Sequence, residues 1–191
     1  MRDVVLRQYA ITLDGFSCAD DSEFQRYVFN VEDAELEEQC VTSLRRTGTH
    51  IMGRATYLDM ANYWPTSSGP IAEVMNDKPK VVFSRTLDRP EWTDSQIARG
   101  DTAEEIARLK ASPGGEIVAH GGFRFTQSLV QKDLVDEYRL YVFPVALGHG
   151  TSIFATVEQL TTLQLVSSIR FPSDVVLQIL RRVDHASGSD R

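Results

Sequence analysis

A chain of 191 residues, 42% hydrophobic and 25% charged, is long enough for a sizeable core and fits one ordinary globular domain. Its formal net charge of −7 argues against a nucleic-acid surface, so any anionic ligand must be held by a few local arginines. No run approaches the ~18 apolar residues of a membrane span and no signal-peptide core follows Met1-Arg2-Asp3, so the expectation is a soluble, cytoplasmic protein.

Val4 to Leu13 reads as a first strand, apolar enough to be central, and Asp14-Gly15 breaks it. Cys18 to Ser22 is small and polar: a loop that could move over a ligand, or a plain turn. Cys18 and Cys40 have no partner at metal-ligand spacing and read as free thiols of a reducing compartment. Asp33 to Thr47 reads as a helix, acidic at its start, basic at Arg45 and Arg46, and stopped by Gly48. Stepping about 100° per residue, Leu36, Cys40, Val41 and Leu44 form one stripe, and Glu37 falls inside it. A carboxylate there is either a desolvated acid or substrate anchor, or a stripe-edge residue that reaches solvent.

His50-Ile51-Met52 is a short strand, and Gly53-Arg54-Ala55-Thr56-Tyr57 opens a helix that ends at Tyr63-Trp64-Pro65. An arginine in a first helical turn opposes the helix dipole, which favours a ligand as its reason. Lys80 to Ser84 is a third strand leaving through Ser84-Arg85-Thr86, and Thr102-Ala103-Glu104-Glu105 reads as a capping box for a helix to about Lys110. Glu116 to His120 is a further strand; it runs into Gly121-Gly122, and a helical pattern begins with Phe123, Arg124 and Phe125. Strand, adjacent glycines and helix start form an anion-binding arrangement, or else a tight turn that needs glycine. Three strands thus exit toward Gly, Ser or Arg clusters, and ligands of open α/β sheets bind at such carboxyl ends. Beyond Asp133 the pattern changes: Glu137 to Val145 is a long strand, and Leu163–Arg170 with Val175–Val183 forms a hairpin. The expected domain spans residues 1–184, followed by a polar disordered tail, 185–191. His50, His120, His149 and His185 share no ligand spacing with each other or the cysteines, so no metal site is expected.

Five segments in order carry a resemblance: Thr12-Leu13-Asp14-Gly15-Phe16, His50 to Tyr57, Tyr63-Trp64-Pro65, Val82-Phe83-Ser84-Arg85 and Gly121 to Phe125. Together they resemble the dihydrofolate reductase superfamily, most of all its branch shared with the reductase domain of the bifunctional riboflavin-biosynthesis deaminase/reductase. The resemblance implies a three-layer α/β fold: a mixed, mostly parallel sheet of about eight strands, the last antiparallel, with helices on both faces and NADPH across the carboxyl edge. It implies that Gly53, Arg54, Ala55 and Thr56 hold cofactor phosphates, and that Phe83, Ser84 and Arg85 surround the adenosine 2′-phosphate. Gly121, Gly122, Phe123, Arg124 and Phe125 would form the pyrophosphate loop, with a cis peptide joining the glycines. Ala10 and Ile11 would meet the nicotinamide, and Glu37 and Asp14 are the candidate catalytic carboxylates. Asp14-Gly15-Phe16 is the riboflavin-type pattern, and no H-x-E or P-C-x-x-C of a zinc deaminase occurs. The implied activity is NADPH-dependent reduction of a small heterocycle, most like 5-amino-6-(5-phosphoribosylamino)uracil. The alternatives are a dihydrofolate or other pterin reductase and a non-catalytic NADPH-binding protein. The implied assembly is a homodimer through the C-terminal strands.

Overall fold

The computed structural model describes residues 1–17 and 22–183. The readings of Cys18 as a free thiol and of 185–191 as a disordered tail lie outside those residues. The elements in chain order are β1 (Val4–Thr12), α1 (Ser22–Phe29), α2 (Ala34–Arg45), β2 (Thr47–Gly53), α3 (Arg54–Tyr63) and α4 (Pro70–Asp77). There follow β3 (Lys80–Phe83), β4 (Ser95–Ala98), α5 (Thr102–Ala111), β5 (Glu116–His120), α6 (Phe123–Gln131), β6 (Glu137–Phe143), β7 (Leu163–Arg170) and β8 (Val176–Arg182). A single turn of 3-10 helix, Trp64–Thr66, follows α3.

The eight strands form one sheet in the order β4-β3-β2-β5-β1-β6-β8-β7. The pairs β1–β5, β1–β6, β2–β3, β2–β5 and β3–β4 are parallel, and β8 runs antiparallel to both β6 and β7. This is the mixed, mostly parallel sheet that the resemblance implies. Ile106, Leu109, Phe125 and Leu129 of α5 and α6 pack with Leu6 and Ile117 on one face. Helices α1 to α4 cover the other face, through Phe24, Leu36 and Cys40 against Tyr141 and Phe143, and through Leu44, Tyr57 and Met75 against Met52 and Val82. Covered on both faces, β6 is buried along almost its whole length, as a central strand must be. Among the described residues no helix is long and apolar enough to cross a membrane.

Local chemistry explains most boundaries and corrects three expectations. Asp33 caps α2 by accepting from the N–H groups of Glu35 and Leu36, and its second oxygen accepts from Ser173 N at 2.8 Å, tying the helix to the β7–β8 turn. Gly48 does not stop that helix; it lies inside β2, where a Cβ would stand 2.5 Å from Gly115 N. It is glycine because the two strands approach too closely there for a side chain. Helix α5 is capped by Asp101, which accepts from Ala103 N and Glu104 N, one residue before the expected Thr102. The glycine pair, lastly, is not joined by a cis bond: the described residues contain no cis peptide. The chain turns instead at Gly122, with φ +82 and ψ 95, a region glycine enters without a steric penalty.

Candidate functional site

One cleft of about 1310 Å³ runs along the carboxyl ends of β4, β3, β2, β5 and β1. At its β1 end the strand is irregular. The pairing with β6 shifts between Gln8 and Ile11, and Ala10 sits at φ +68, unusual for a residue with a side chain. Holding alanine there costs roughly 1–2 kcal/mol, and the bulge lets three consecutive residues, Gln8, Tyr9 and Ala10, line the cleft. Across from them α1 contributes Phe24, Val28 and Phe29.

At β2 and β5 the cleft meets the starts of α3 and α6. Gly53 and Gly122 are their N-cap residues, and neither helix has a side-chain cap. Helices α2 and α5, by contrast, are closed by Asp33 and Asp101. An uncapped helix start presents unsatisfied N–H groups and the positive end of its dipole. A Cβ on Gly122 would stand 2.3 Å from Thr56 Oγ1, and one on Gly53 would stand 3.0 Å from Phe125 Cβ. The two turns are therefore packed against each other, and both face the cleft.

Cations gather on this side: Arg54, Arg85, Arg99, Arg124 and Lys132 all line the cleft. Arg99 braces the turn after β3, donating to the carbonyls of Arg85 at 3.1 Å and Leu87 at 2.7 Å. Ser84 Oγ accepts from the N–H groups of Thr86 and Leu87, folding the same turn from within. Phe83 stacks on Phe125 with ring centroids 4.9 Å apart, giving the cleft an aromatic floor between β3 and α6.

Of the residues picked from the sequence, Ala10, Gly53, Arg54, Ala55, Thr56, Phe83, Ser84, Arg85, Gly122, Phe123, Arg124 and Phe125 meet in this cleft. Four do not line it. Ile11 is buried in the core between β1 and the α5–α6 layer, and Gly121 stands just behind the turn. Glu37 is exposed on α2, although Leu36, Cys40, Val41 and Leu44 of the same helix are buried. Asp14 is an exposed clasp, not an acid facing the cleft. It accepts from the Thr12 hydroxyl at 2.6 Å and from Gly148 N at 2.7 Å, and those bonds hold its carboxyl below the usual carboxylate range. Sequence reasoning passed over Gln8, Tyr9, Arg99 and α1; the i, i+4 pair Phe24 and Val28 was a readable helical signal. Burial pushes the Tyr9 hydroxyl up to about 12, so it stays protonated.

The Gly122 turn supplies a direct check. Gly122→Ala forces a side chain into the left-handed region against Thr56 and should cost roughly 1–3 kcal/mol. Gly121→Ala has open space and an ordinary φ, and should stay within about 0.5 kcal/mol of the parent in urea unfolding. Equal costs for the two would show that Gly122 is not the residue that makes the turn.

Comparison with known proteins agrees with this architecture. The family described as RibD C-terminal domain matches residues 3–177. A Bacillus subtilis (strain 168) protein, YyaP, is 30% identical over 179 residues, spanning 90% of this chain and 91% of its own. Among solved structures, a Shewanella sp. PV-4 protein described as a riboflavin biosynthesis protein superposes with a TM-score of 0.76 at 23% identity. That match covers 96% of this chain and 99% of the other. A Thermotoga maritima diaminohydroxyphosphoribosylaminopyrimidine deaminase/5-amino-6-(5-phosphoribosylamino)uracil reductase gives a TM-score of 0.66 at 15% identity, over 95% of this chain and 57% of that one. At these identities the two structures establish a shared fold.

Proposed function

Since the chain belongs to the RibD C-terminal domain family, a family of riboflavin-pathway-type reductases, we propose that it is an NADPH-dependent reductase acting on a small heterocyclic substrate. The observation that carries this reading is the meeting of two uncapped helix starts with Arg54, Arg85 and Arg124 in one cleft. The first-turn N–H groups of α3 and α6 would take the pyrophosphate, and Arg85, beside Ser84 on the braced turn, the adenosine 2′-phosphate. The Phe83–Phe125 pair offers a flat wall to a stacked ring. When bound, NADPH would supply the hydride, for a C=N or C=O of a substrate lying toward β1 and α1. On that side Tyr9, Phe24 and Val28 would exclude water and orient a flat ring.

The test is calorimetric titration with NADPH and NADH, then an absorbance assay at the nicotinamide band with candidate heterocycles, 5-amino-6-(5-phosphoribosylamino)uracil first. Removing one guanidinium in Arg85→Ala should weaken NADPH by roughly 1–3 kcal/mol and leave NADH nearly unchanged. Equal losses for the two would place Arg85 away from the 2′-phosphate, and no NADPH affinity at all would end the reductase reading. The reading extends to a homodimer: edge strand β7 exposes Leu165 (56%) and Val166 (53%), which a second copy would cover. Light scattering should then give the mass of two chains; a mass of one chain overturns it.

A further inference from the structure

Gln8 is only 6% exposed and Ser17 only 8%, yet both line the cleft at its β1 end. The amide Nε2 of Gln8 donates to Ser17 Oγ at 2.9 Å. Its Oε1 is buried and has no partner, and the hydroxyl hydrogen of Ser17 is committed to no other group among the described residues. A buried acceptor left open beside a cleft calls for a ligand, because burial without a hydrogen bond is unfavourable. The pair is rigidly placed: Ser17 is bridged through its backbone to Thr151, and Gln8 is the last residue before the β1 bulge.

The pattern it offers is one acceptor beside one donor, Oε1 of Gln8 and O–H of Ser17. Turning the amide over gives a free N–H of Gln8 beside the lone pairs of Ser17, again one donor and one acceptor. Both arrangements complement the edge of an amide, an N–H next to a C=O. The neighbours set the charge: among the described residues, those lining the cleft from β1, the segment after it and α1 are Gln8, Tyr9, Ala10, Ser17, Phe24, Gln25, Val28 and Phe29, and none is charged. We propose that the Gln8–Ser17 pair is a recognition site for the amide edge of an uncharged planar ring. That edge is a lactam of the substrate or the carboxamide of the nicotinamide. The proposal rests on the reductase reading only for the second source.

The experiment uses the full chain and its Gln8→Leu and Ser17→Ala variants, with thermal melting to confirm folding. Ser17→Ala keeps the backbone bridge to Thr151, so it remains informative if Gln8→Leu does not fold. Titrants are NADP+, its 3-acetylpyridine analogue, which lacks the carboxamide N–H, uracil, and 1,3-dimethyluracil, which lacks both lactam N–H groups. Uracil and its dimethyl control are titrated by ligand-observed NMR with and without nucleotide. If the pair holds the cofactor carboxamide, the variants lose about tenfold in NADP+ affinity and little for the analogue. If it holds a substrate lactam, both nucleotides bind as before while uracil binding falls at least about tenfold, and dimethyluracil is rejected by the parent protein. The proposal is overturned if the variants titrate like the parent with every probe. It is also overturned if the variants keep full NADP+ affinity and the parent either takes no uracil or binds dimethyluracil as well as uracil. A parent protein that takes no nucleotide ends the reductase reading, and the uracil arm alone then decides the proposal.

Discussion

Lowering the pH from 6.5 to 4.5 should remove more than about 2 kcal/mol of folding stability. The cause is a pair of histidines on adjacent strands. His50 Nδ1 and His120 Nε2 lie 2.7 Å apart, with one ring nitrogen donating to the other, and both rings are buried. Burial is the main reason that His50 is pushed down to about 3, with the Lys80 ammonium adding repulsion. His120 is held well below its ordinary 6.5 by burial, then by His50 and by the Arg7 guanidinium. The folded chain therefore keeps both rings neutral while the unfolded chain takes up protons below 6.5. Stability is full above that pH and falls as the pH drops toward 3, by about 1.4 kcal/mol per pH unit for His50, with His120 acting in the same direction. Urea midpoints measured across this range read the slope. A midpoint that does not move between pH 6.5 and 4.5 would mean that the pair accepts a proton without unfolding.

The second large effect lies at the amino ends of β5 and β6, away from the cleft at the carboxyl ends. Arg139 of β6 is 3% exposed and donates to Glu137 at 2.8 Å, to Ser43 Oγ at 3.0 Å and to Glu116 at 2.9 Å. It thereby joins β5, β6 and α2 through one guanidinium, and Arg181 of β8 reaches Glu137 from the other side at 2.9 Å. Those carboxylates hold the charged form of Arg139 against the opposing effect of burial. Arg139→Met leaves the Glu137 carboxylate, itself 5% exposed, with one partner fewer, and should cost about 3–5 kcal/mol in urea unfolding. Nucleotide affinity of the folded variant should be unchanged, since none of these groups lines the cleft. A loss below about 1 kcal/mol would show that desolvating the cluster offsets nearly all of its attraction.

The sequence carried the fold where patterns are local and strong. Ile117-Val118-Ala119 before two glycines, and His50-Ile51-Met52 before Gly53, announce strands that end in helix starts, and the cleft is built from those two places. Strand β4 has a single large apolar residue, Ile97, and needs no more because it is a four-residue edge strand. Helix α4 begins with Pro70 and has Glu73 in its first turn, a start signal that was there to be read. Glu37 shows the limit of periodicity: its angle around the helix is that of a buried residue, but whether a neighbour covers that turn is a tertiary fact. The glycine pair shows another limit. Its presence marks a turn, while the positive φ of Gly122 and the approach of Thr56 from another helix are tertiary facts. Gln8 left no signal at all, because its meaning comes from Ser17 across a bulge that no local pattern announces.

The strand order also dictates when a growing chain can build its binding site. β1 is made first, yet its two neighbours, β5 and β6, begin only at Glu116 and Glu137. During synthesis Val4, Val5 and Leu6 have no strand partner until those two segments are made, while the subsheet of β2, β3 and β4 already has all its members. A chain made only as far as Glu116 contains arginines 54, 85 and 99 but not Phe125, the other half of the aromatic floor. Such long-range parallel pairing is slow to form and leaves apolar strand surface open to capture. Early β1 is thus the segment for which a nascent-chain chaperone and an aggregate would compete.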